Sequence, residues 1–150
     1  MKSILQKSNP LQTIGCGNPD CLPCAQGRGE GGNCESCSIN YELECQLCPQ
    51  DKRSVYIGES ARNLYTRSKE HLNKYRYNPA NSFMAKHQGA EHAGEEPSYK
   101  ARVTASTRDC LSRQVREAVL IRRSSCNVLN GKTEWHQPPL YRVQQEVVRD

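Results

Sequence analysis

The sequence predicts an α/β (α+β) sandwich, in which a small antiparallel three-stranded sheet is flanked by helices and preceded by a cysteine-rich segment. Two observations predict the folded part: short segments alternate polar and apolar residues as strands do, and longer segments repeat apolar residues with the helical period. The third observation is that seven of the nine cysteines lie before Val55. With 35% apolar residues, the 150-residue chain can form only a modest core, so we expect the cysteines to add stability.

The predicted sheet consists of a hairpin and a third strand. Residues 40–45 (NYELEC) alternate apolar side chains with glutamates, which is typical of a half-buried strand. A short loop then leads into the second strand over residues 54–57. Residues 99–104 (YKARVT) alternate in the same way and are predicted to form the third strand.

Three helices are predicted around this sheet, in the order β-β-α-α-β-α. Ser60 is expected to cap the first helix, which ends before Pro79. A short second helix is predicted over residues 82–88, and a third over residues 107–123. The helical period of the third helix predicts that five of its residues face inward, namely Leu111, Gln114, Val115, Ala118 and Ile121.

The positive charge of the chain is concentrated after residue 50. Residues 1–50 contain three Lys and Arg against five Asp and Glu, whereas residues 51–150 contain eighteen against eleven. Many of these cations lie on the predicted helices. Such a basic surface is typical of proteins that bind the phosphate backbone of nucleic acids, although solvated helix faces give a similar composition.

Three Cys-x-x-Cys pairs occur before residue 50: Cys21/Cys24, Cys34/Cys37 and Cys45/Cys48. The first residues lack the apolar run of a secretion signal, and no segment is apolar enough to span a membrane. We therefore expect an intracellular, reducing compartment, in which such pairs bind zinc more often than they form disulfides. At least one tetrahedral zinc site is predicted, with a redox or disulfide cluster as the alternative.

A second pattern links the predicted strands and helices. It consists of two strand tyrosines, an Arg-x-x-x-His helix face, a helix carboxylate and a loop amide: Tyr41, Tyr56, Arg67, His71, Glu117 and Asn127. Over residues 39–131 this combination resembles the GIY-YIG nuclease domain. The Tyr-Ile-Gly motif at residues 56–58 is intact, whereas residues 39–41 read Ile-Asn-Tyr instead of Gly-Ile-Tyr. The step from the motif to Arg67 is one residue longer than in many family members, which makes Arg62 a rival candidate; Asn130 is the alternative to the loop amide.

Within that family, the chain resembles in particular the C-terminal nuclease domain of Penelope-like retroelement polyproteins. Those domains carry two cysteines between the tyrosine motifs and two downstream histidines, which correspond here to Cys45, Cys48, His87 and His92. These spacings suit a tetrahedral Cys2His2 zinc site. The segments SNPLQTIGCGNPDCLPC, SFMAKHQ, LIRRSS and LNGKTEWHQP are also similar to those domains. Composition and resemblance together predict a cysteine-rich, zinc-binding lead-in over residues 1–38, a nuclease domain with an inserted zinc site over 39–135, and a polar tail over 136–150.

A second zinc site is expected in the N-terminal lead-in, residues 1–38. Its five cysteines exceed by one the four ligands of a tetrahedral site. The resemblance implies the ligand set Cys16, Cys21, Cys24 and Cys34. Spacing alone favours two symmetric Cys-x-x-Cys pairs, in which Cys37 replaces Cys16.

The resemblance implies a metal-dependent DNA endonuclease. One of Tyr41 and Tyr56 would take a proton from the attacking water, and Arg67 would hold a non-bridging phosphate oxygen. Glu117 would bind a single Mg²⁺, or Mn²⁺, while His71 and Asn127 would help to arrange the site. Taken one at a time, these residues are equally well explained by packing, by a turn or by surface charge, including an i,i+4 pair of the glutamate with Arg113. Their combination favours catalysis.

The resemblance also implies a biological setting. A nick in target DNA would expose a 3′-hydroxyl from which a reverse transcriptase domain of the same polyprotein, with its RNA, could prime synthesis. The expected location is the nucleus, without a membrane partner. Two alternatives are a zinc-dependent nucleic-acid-binding module without cleavage activity and a zinc-organised interaction domain of ubiquitin-ligase type. The latter would explain the cysteines but not the Tyr-Ile-Gly motif or the segment around Glu117.

Overall fold

A computed structural model describes residues 16, 18–25 and 34–130 of the chain. Its strands are β1 (Ile39–Cys45), β2 (Ser54–Ser60), β3 (Tyr99–Ser106) and β4 (Asn127–Val128). Its helices are α1 (Leu22–Ala25), α2 (Leu64–Tyr77), α3 (Phe83–Glu91) and α4 (Cys110–Arg123). Short 3-10 turns lie at Gln50–Lys52 and Pro79–Asn81. The tail expected over residues 136–150 and much of the N-terminal lead-in lie outside the described residues.

The four described strands form one mixed sheet in the order β3-β1-β2-β4. The strand β1 pairs antiparallel with both β2 and β3, as the sequence predicts. The strand β4 adds to the other edge of β2 in parallel, with Ser54 opposite Asn127 and Val55 opposite Val128. The prediction of a purely antiparallel three-stranded sheet is therefore wrong. A strand of two residues is too short to show alternation, so sequence periodicity cannot reveal it.

The register of the hairpin places the two tyrosines of the resemblance on the same face of the sheet. Tyr41 lies opposite Gly58, and Leu43 lies opposite Tyr56. Because opposite residues in an antiparallel pair point to the same side, both tyrosine rings project towards α2 and α3. The core on this face includes fully buried side chains from the strands and both helices: Ile39, Tyr41, Leu43, Leu64 and Met84.

The helices begin later than predicted at two of three places. The strand β2 continues to Ser60, so the cap of α2 is Asn63, whose side chain accepts a hydrogen bond from the Thr66 backbone N–H at 2.8 Å. Similarly, α4 is capped by Asp109 rather than beginning at residue 107, because β3 extends to Ser106. Ser82 caps α3 through the backbone N–H of Ala85. Short polar side chains stand at all three starts, which is the chemistry of a helix N-cap.

The helix α4 packs with its polar face inward. Arg113, Gln114 and Glu117 are buried, whereas Val115 is 44% exposed, so the prediction that this valine faces the core is wrong. The reason lies on the opposite sheet face, where two polar side chains receive the helix. Arg113 Nε donates to Glu59 Oε2 at 3.0 Å, and Asn40 Nδ2 donates to the backbone carbonyl of Arg113 at 2.9 Å. Buried hydrogen bonds therefore override the apolar periodicity of this helix.

The described part of the N-terminal lead-in is attached to α2. The helix α1 lies against α2 and β3. The backbone N–H groups at the start of α2 donate to the lead-in: Leu64 N to Ser36 O at 3.2 Å and Tyr65 N to Cys34 O at 2.9 Å. These bonds satisfy N–H groups that have no partner within the helix. The lead-in and the sheet thus hold α2 from both sides.

Gly58 of the Tyr-Ile-Gly motif is required by the close approach of Tyr41. A Cβ atom at this position would lie 2.6 Å from Cζ and from the hydroxyl oxygen of Tyr41. Gly58→Ala should therefore displace the buried ring and lower the free energy of unfolding by about 1–3 kcal/mol. Urea denaturation measures this loss.

Gly89→Ala provides the matched control, because a Cβ atom there would meet nothing within 4 Å. Within α3 this change should leave stability unchanged or raise it by up to about 1 kcal/mol. If Gly58→Ala were as stable as Gly89→Ala, the ring of Tyr41 would not be packed as described.

Candidate functional site

The hydroxyl of Tyr41 lies at the centre of a buried hydrogen-bonded group. It is 2.8 Å from Nε2 of His71, and Nε of Arg67 donates to it at 3.1 Å. A guanidinium N–H can only donate, and the buried phenol can give its one proton to Nε2 of His71 when that nitrogen is unprotonated. In that tautomer, His71 accepts at Nε2 and carries its own proton on Nδ1.

Burial and charge fix the protonation states in this group. Burial raises the pKa of Tyr41 above its ordinary range, with further contributions from Tyr56 and Glu117, while Arg67 opposes the rise. Burial also lowers the pKa of His71 to about 3, assisted by the nearby charges of Arg67 and Lys74. At neutral pH the tyrosine keeps its proton and the histidine is uncharged, which allows the phenol to donate to Nε2.

Arg67 is oriented by a second partner, Glu70, which lies one turn further along α2. Nη1 of Arg67 donates to Glu70 Oε2 at 2.8 Å, and the same carboxylate pairs with Arg62. The side chain of Arg62 is 61% exposed, whereas that of Arg67 is 23% exposed and reaches Tyr41. The structure thus places Arg67, and not its rival, against the tyrosine. Sequence reasoning missed Glu70, although its i,i+3 spacing from Arg67 was visible.

Tyr56 reaches the surface beside this group. Its ring centroid is 6.2 Å from that of Tyr41 and 4.8 Å from that of His71. On its other side the ring stacks on Phe83, with centroids 4.3 Å apart and planes inclined by 19°. Tyr56 and His71 line an open cleft of about 530 Å³, whereas Tyr41 is fully buried. We call Tyr41, Tyr56, Arg67 and His71 the tyrosine cluster.

Glu117 lies on α4, which packs against β2. The two candidate asparagines lie at the edge of β2 that pairs with β4. The glutamate is 6% exposed on the inward face of α4, and its charge contributes to the raised pKa of Tyr41. Arg113 is buried and bonded to Glu59, and Glu117 is buried as well. Arg113 and Glu117 are therefore not a surface ion pair. Asn127 is exposed, lines the same cleft as Tyr56, and donates from Nδ2 to Ser54 Oγ at 3.2 Å.

Asn130 has a different environment. It is 8% exposed, and its Oδ1 accepts from the backbone N–H of Ile57 at 2.8 Å. Its Nδ2 in turn donates to the backbone carbonyl of the same residue. The amide therefore occupies the edge of β2 beyond the end of β4, as a further strand residue would. Asn127 faces the cleft, and Asn130 supports the backbone of the Tyr-Ile-Gly motif.

Four predicted zinc ligands meet between β1 and α3. Cys45, Cys48, His87 and His92 place one ligand atom each within 4.8 Å of the others, and we call them the second metal cluster. Cys48 Sγ is 3.2 Å from His87 Nε2 and 3.4 Å from His92 Nε2, and Cys45 Sγ is 3.5 Å from His92 Nε2. Ligands bound to zinc at the usual lengths would lie about 3.5 Å apart at the corners of a tetrahedron. The donor set and its spacing therefore fit a metal ion.

A further group of four cysteines lies where the lead-in meets α2. Cys16, Cys21, Cys24 and Cys34 also have ligand atoms within 4.8 Å of one another, and we call them the first metal cluster. Against the effect of burial, hydrogen bonds from the Cys16 backbone and from neighbouring thiols lower the pKa of Cys24 to about 7. A thiol of this pKa supplies a thiolate to a metal near neutral pH. Cys37 is exposed and lies outside the cluster.

Comparisons of the chain with protein-family models, with curated proteins and with solved structures found no match. Within the described ranges, no helix combines the length and apolar character needed to cross a membrane. What the protein does is therefore inferred from the geometry of the tyrosine cluster and of the two metal clusters.

Proposed function

We propose that this protein is a metal-dependent DNA endonuclease of the GIY-YIG type, which nicks one strand and leaves a 3′-hydroxyl. The observation that carries the proposal is the tyrosine cluster, in which four residues from two strands and one helix meet beside an open cleft. The burial of Glu117 and its electrostatic effect on Tyr41 support the inclusion of the carboxylate. Clusters of interacting titratable groups at a cleft are typical of catalytic sites.

Phosphodiester hydrolysis needs an activated water and cations that stabilise charge on the phosphate. Tyr56 is the tyrosine that lines the cleft, so its hydroxyl is assigned to the attacking water. Tyr41 is assigned the role of orienting Arg67. Its hydroxyl accepts from Nε of Arg67, while Glu70 accepts from Nη1 of the same side chain. These two contacts leave Nη2 to donate to a non-bridging phosphate oxygen.

A catalytic Mg²⁺ or Mn²⁺ would be held by Glu117. The donor chemistry fits, because a carboxylate is the ligand that such hard ions prefer and water completes their coordination. When bound, the ion would neutralise charge on the phosphate and on the departing oxygen. The effect of Glu117 on Tyr41 supports a site for the ion close to the tyrosine cluster.

The two metal clusters are proposed to be structural zinc sites. Four protein ligands close the tetrahedron in each, which leaves no position for substrate. The second site joins β1 to α3, the helix whose first residue, Phe83, stacks on Tyr56. The first site fixes the lead-in at the start of α2, which carries Arg67 and His71. Each zinc would thus hold an element that contributes to the catalytic cleft.

The proposed setting rests on the resemblance to the nuclease domains of Penelope-like retroelement polyproteins. A nick with a free 3′-hydroxyl can prime a reverse transcriptase, and with it we propose a polymerase domain of the same polyprotein, its RNA and a nuclear location. The competing function is a zinc-dependent nucleic-acid-binding module. Such a module would use the zinc sites and the basic surface, but it would not require the buried bonds between Tyr41, His71 and Arg67.

Substitution of Arg67 or Glu117 should remove cleavage without unfolding the protein. Arg67→Ala and Glu117→Gln should each slow Mg²⁺-dependent nicking of supercoiled plasmid by about 10²-fold or more, as is typical of losing a transition-state contact. Zinc content should stay at the wild-type value, and the free energy of unfolding should fall by no more than about 1–3 kcal/mol, the cost of leaving a buried hydrogen-bonding partner unsatisfied. Gel analysis of plasmid relaxation and native mass spectrometry measure these quantities.

Arg62→Ala is the matched control, since it removes the same charge from the neighbouring exposed position. It should retain nicking within about threefold of wild type, the range expected when only a surface charge is lost. If Arg62→Ala lost activity while Arg67→Ala kept it, the arginine assignment would be wrong. Wild-type cleavage by Glu117→Gln would contradict the metal site.

The zinc proposal is tested by the ligand cysteine Cys45 and the cysteine outside both clusters, Cys37. Wild type should carry two zinc ions in native mass spectrometry. Cys45→Ser should lose one ion and unfold readily, because zinc binding contributes on the order of 10 kcal/mol to folding in small domains. Cys37→Ser should keep both ions and normal stability. Loss of an ion from the latter variant, or fewer than two ions in wild type, would overturn the ligand sets.

A further inference from the structure

The cleft beside Tyr56 has a wall that the catalytic assignments leave without a role. On the side away from Tyr41 it is lined by Phe83, by Lys74 from α2 and by Lys86 from α3. Its volume of about 530 Å³ lies within the range of sites that enclose a small molecule. The cleft therefore extends well past the reacting groups, to a part of the surface that two lysines share.

The two lysines of this wall have no carboxylate partner among the described residues. Both side chains are exposed, and neither forms an ion pair with a described residue. By contrast, five arginines are paired with glutamates: Arg53, Arg62, Arg67, Arg102 and Arg113. Among the residues that line the cleft, the acidic one is Glu91, so the lysines give this wall an excess of positive charge.

Their positions are held from two directions. Lys74 lies close enough to His71 for its charge to lower the pKa of that histidine. Lys86 immediately precedes His87, a member of the second metal cluster, so a bound metal ion would fix its place on α3. Between them, Phe83 stacks on Tyr56 and adds an apolar surface to the cleft. Two cations beside an aromatic surface suit a nucleotide, which has phosphates and a flat base.

We propose that this cleft binds the nucleotide next to the scissile phosphate, and that Lys74 and Lys86 hold the phosphates of that part of the DNA strand. The proposal rests on the proposed nuclease function, because the cleft opens onto the tyrosine cluster. The lysines act in substrate binding and touch no reacting atom. Their removal therefore weakens DNA binding more than it lowers the cleavage rate of the bound complex.

The test measures how the binding of zinc-loaded protein to a fluorescently labelled DNA duplex depends on salt. Binding is detected by the fluorescence anisotropy of the duplex, without added Mg²⁺. Lys74→Ala/Lys86→Ala should lower the slope of log affinity against log salt by about 2, one for each lost phosphate contact. Affinity at fixed salt should fall on the order of 10-fold. With Mg²⁺, the protein concentration that gives half-maximal plasmid nicking should rise on the order of 10-fold, in step with the lost affinity.

The matched control is Lys69→Ala/Arg76→Ala, which removes two exposed cations of α2 that lie outside the cleft. This variant should keep the wild-type slope. Equal losses in the two double variants would overturn the proposal, because binding would then depend on overall charge alone. A wild-type protein that binds through the two cleft lysines without nicking any DNA would support this site and contradict the nuclease function. If the wild-type protein nicks DNA but Lys74→Ala/Lys86→Ala keeps the wild-type slope of log affinity against log salt, the nuclease function would be supported and this binding site contradicted.

Discussion

The arrangement of the site depends on the buried hydroxyl of Tyr41. A phenol removed from water must keep its hydrogen bonds, and this one finds both partners on α2, one turn apart. The requirement fixes the rotation of α2 about its axis, since only one face of the helix presents Arg67 and His71 together. It also explains the glycine of the Tyr-Ile-Gly motif: Gly58 lies opposite Tyr41 and leaves the space that the ring occupies. The glycine of this motif is therefore required by the packing of Tyr41 and not only by the strand.

A continuous path of contacts connects this hydroxyl to the second metal cluster. Tyr56 packs between His71 and Phe83, and Phe83 meets the edge of Tyr99 with centroids 5.8 Å apart. Tyr99 lies opposite Cys45 in the sheet. Both Cys45 and Tyr41 belong to β1, so a metal ion bound at the end of the strand would stabilise the same layer that holds the tyrosine ring. In a domain with a small apolar core, such a closed metal site supplies rigidity that side-chain packing alone would not.

Local patterns in the sequence were sufficient for the hairpin with its two strand tyrosines, Tyr41 and Tyr56, and for a short helix that starts near Ser82. They failed where the outcome depends on distant partners. The polar face of α4 turns inward because Asn40 and Glu59 receive it, and no periodicity within the helix reveals those residues. The strand β4 exists because β2 offers it an edge, and its two residues carry no signal of their own.

The candidate site shows the same division between local and distant information. The spacing of the cysteines favoured Cys37 over Cys16, whereas the folded chain brings Cys16 to the other three and leaves Cys37 outside the cluster. The structure likewise separates the two asparagines, since Asn127 faces the cleft whereas Asn130 bonds to the backbone of β2. Phe83 could not be recognised as part of the site from sequence, because a single aromatic residue at the start of a short helix is equally typical of a core position.

The central claim is that Tyr41 acts in catalysis by aiming Arg67 at the phosphate, and a double-mutant cycle on the rate of DNA nicking tests it most directly. Single-turnover rates would be compared for wild type, Tyr41→Phe, Arg67→Ala and the double variant, each shown to be folded and zinc-loaded. Tyr41→Phe keeps the ring but removes the hydroxyl that holds Nε of Arg67. If the tyrosine works through the arginine, Tyr41→Phe should lose activity, and the double variant should be no slower than Arg67→Ala. Wild-type nicking by Tyr41→Phe, or losses that multiply in the double variant, would contradict the claim.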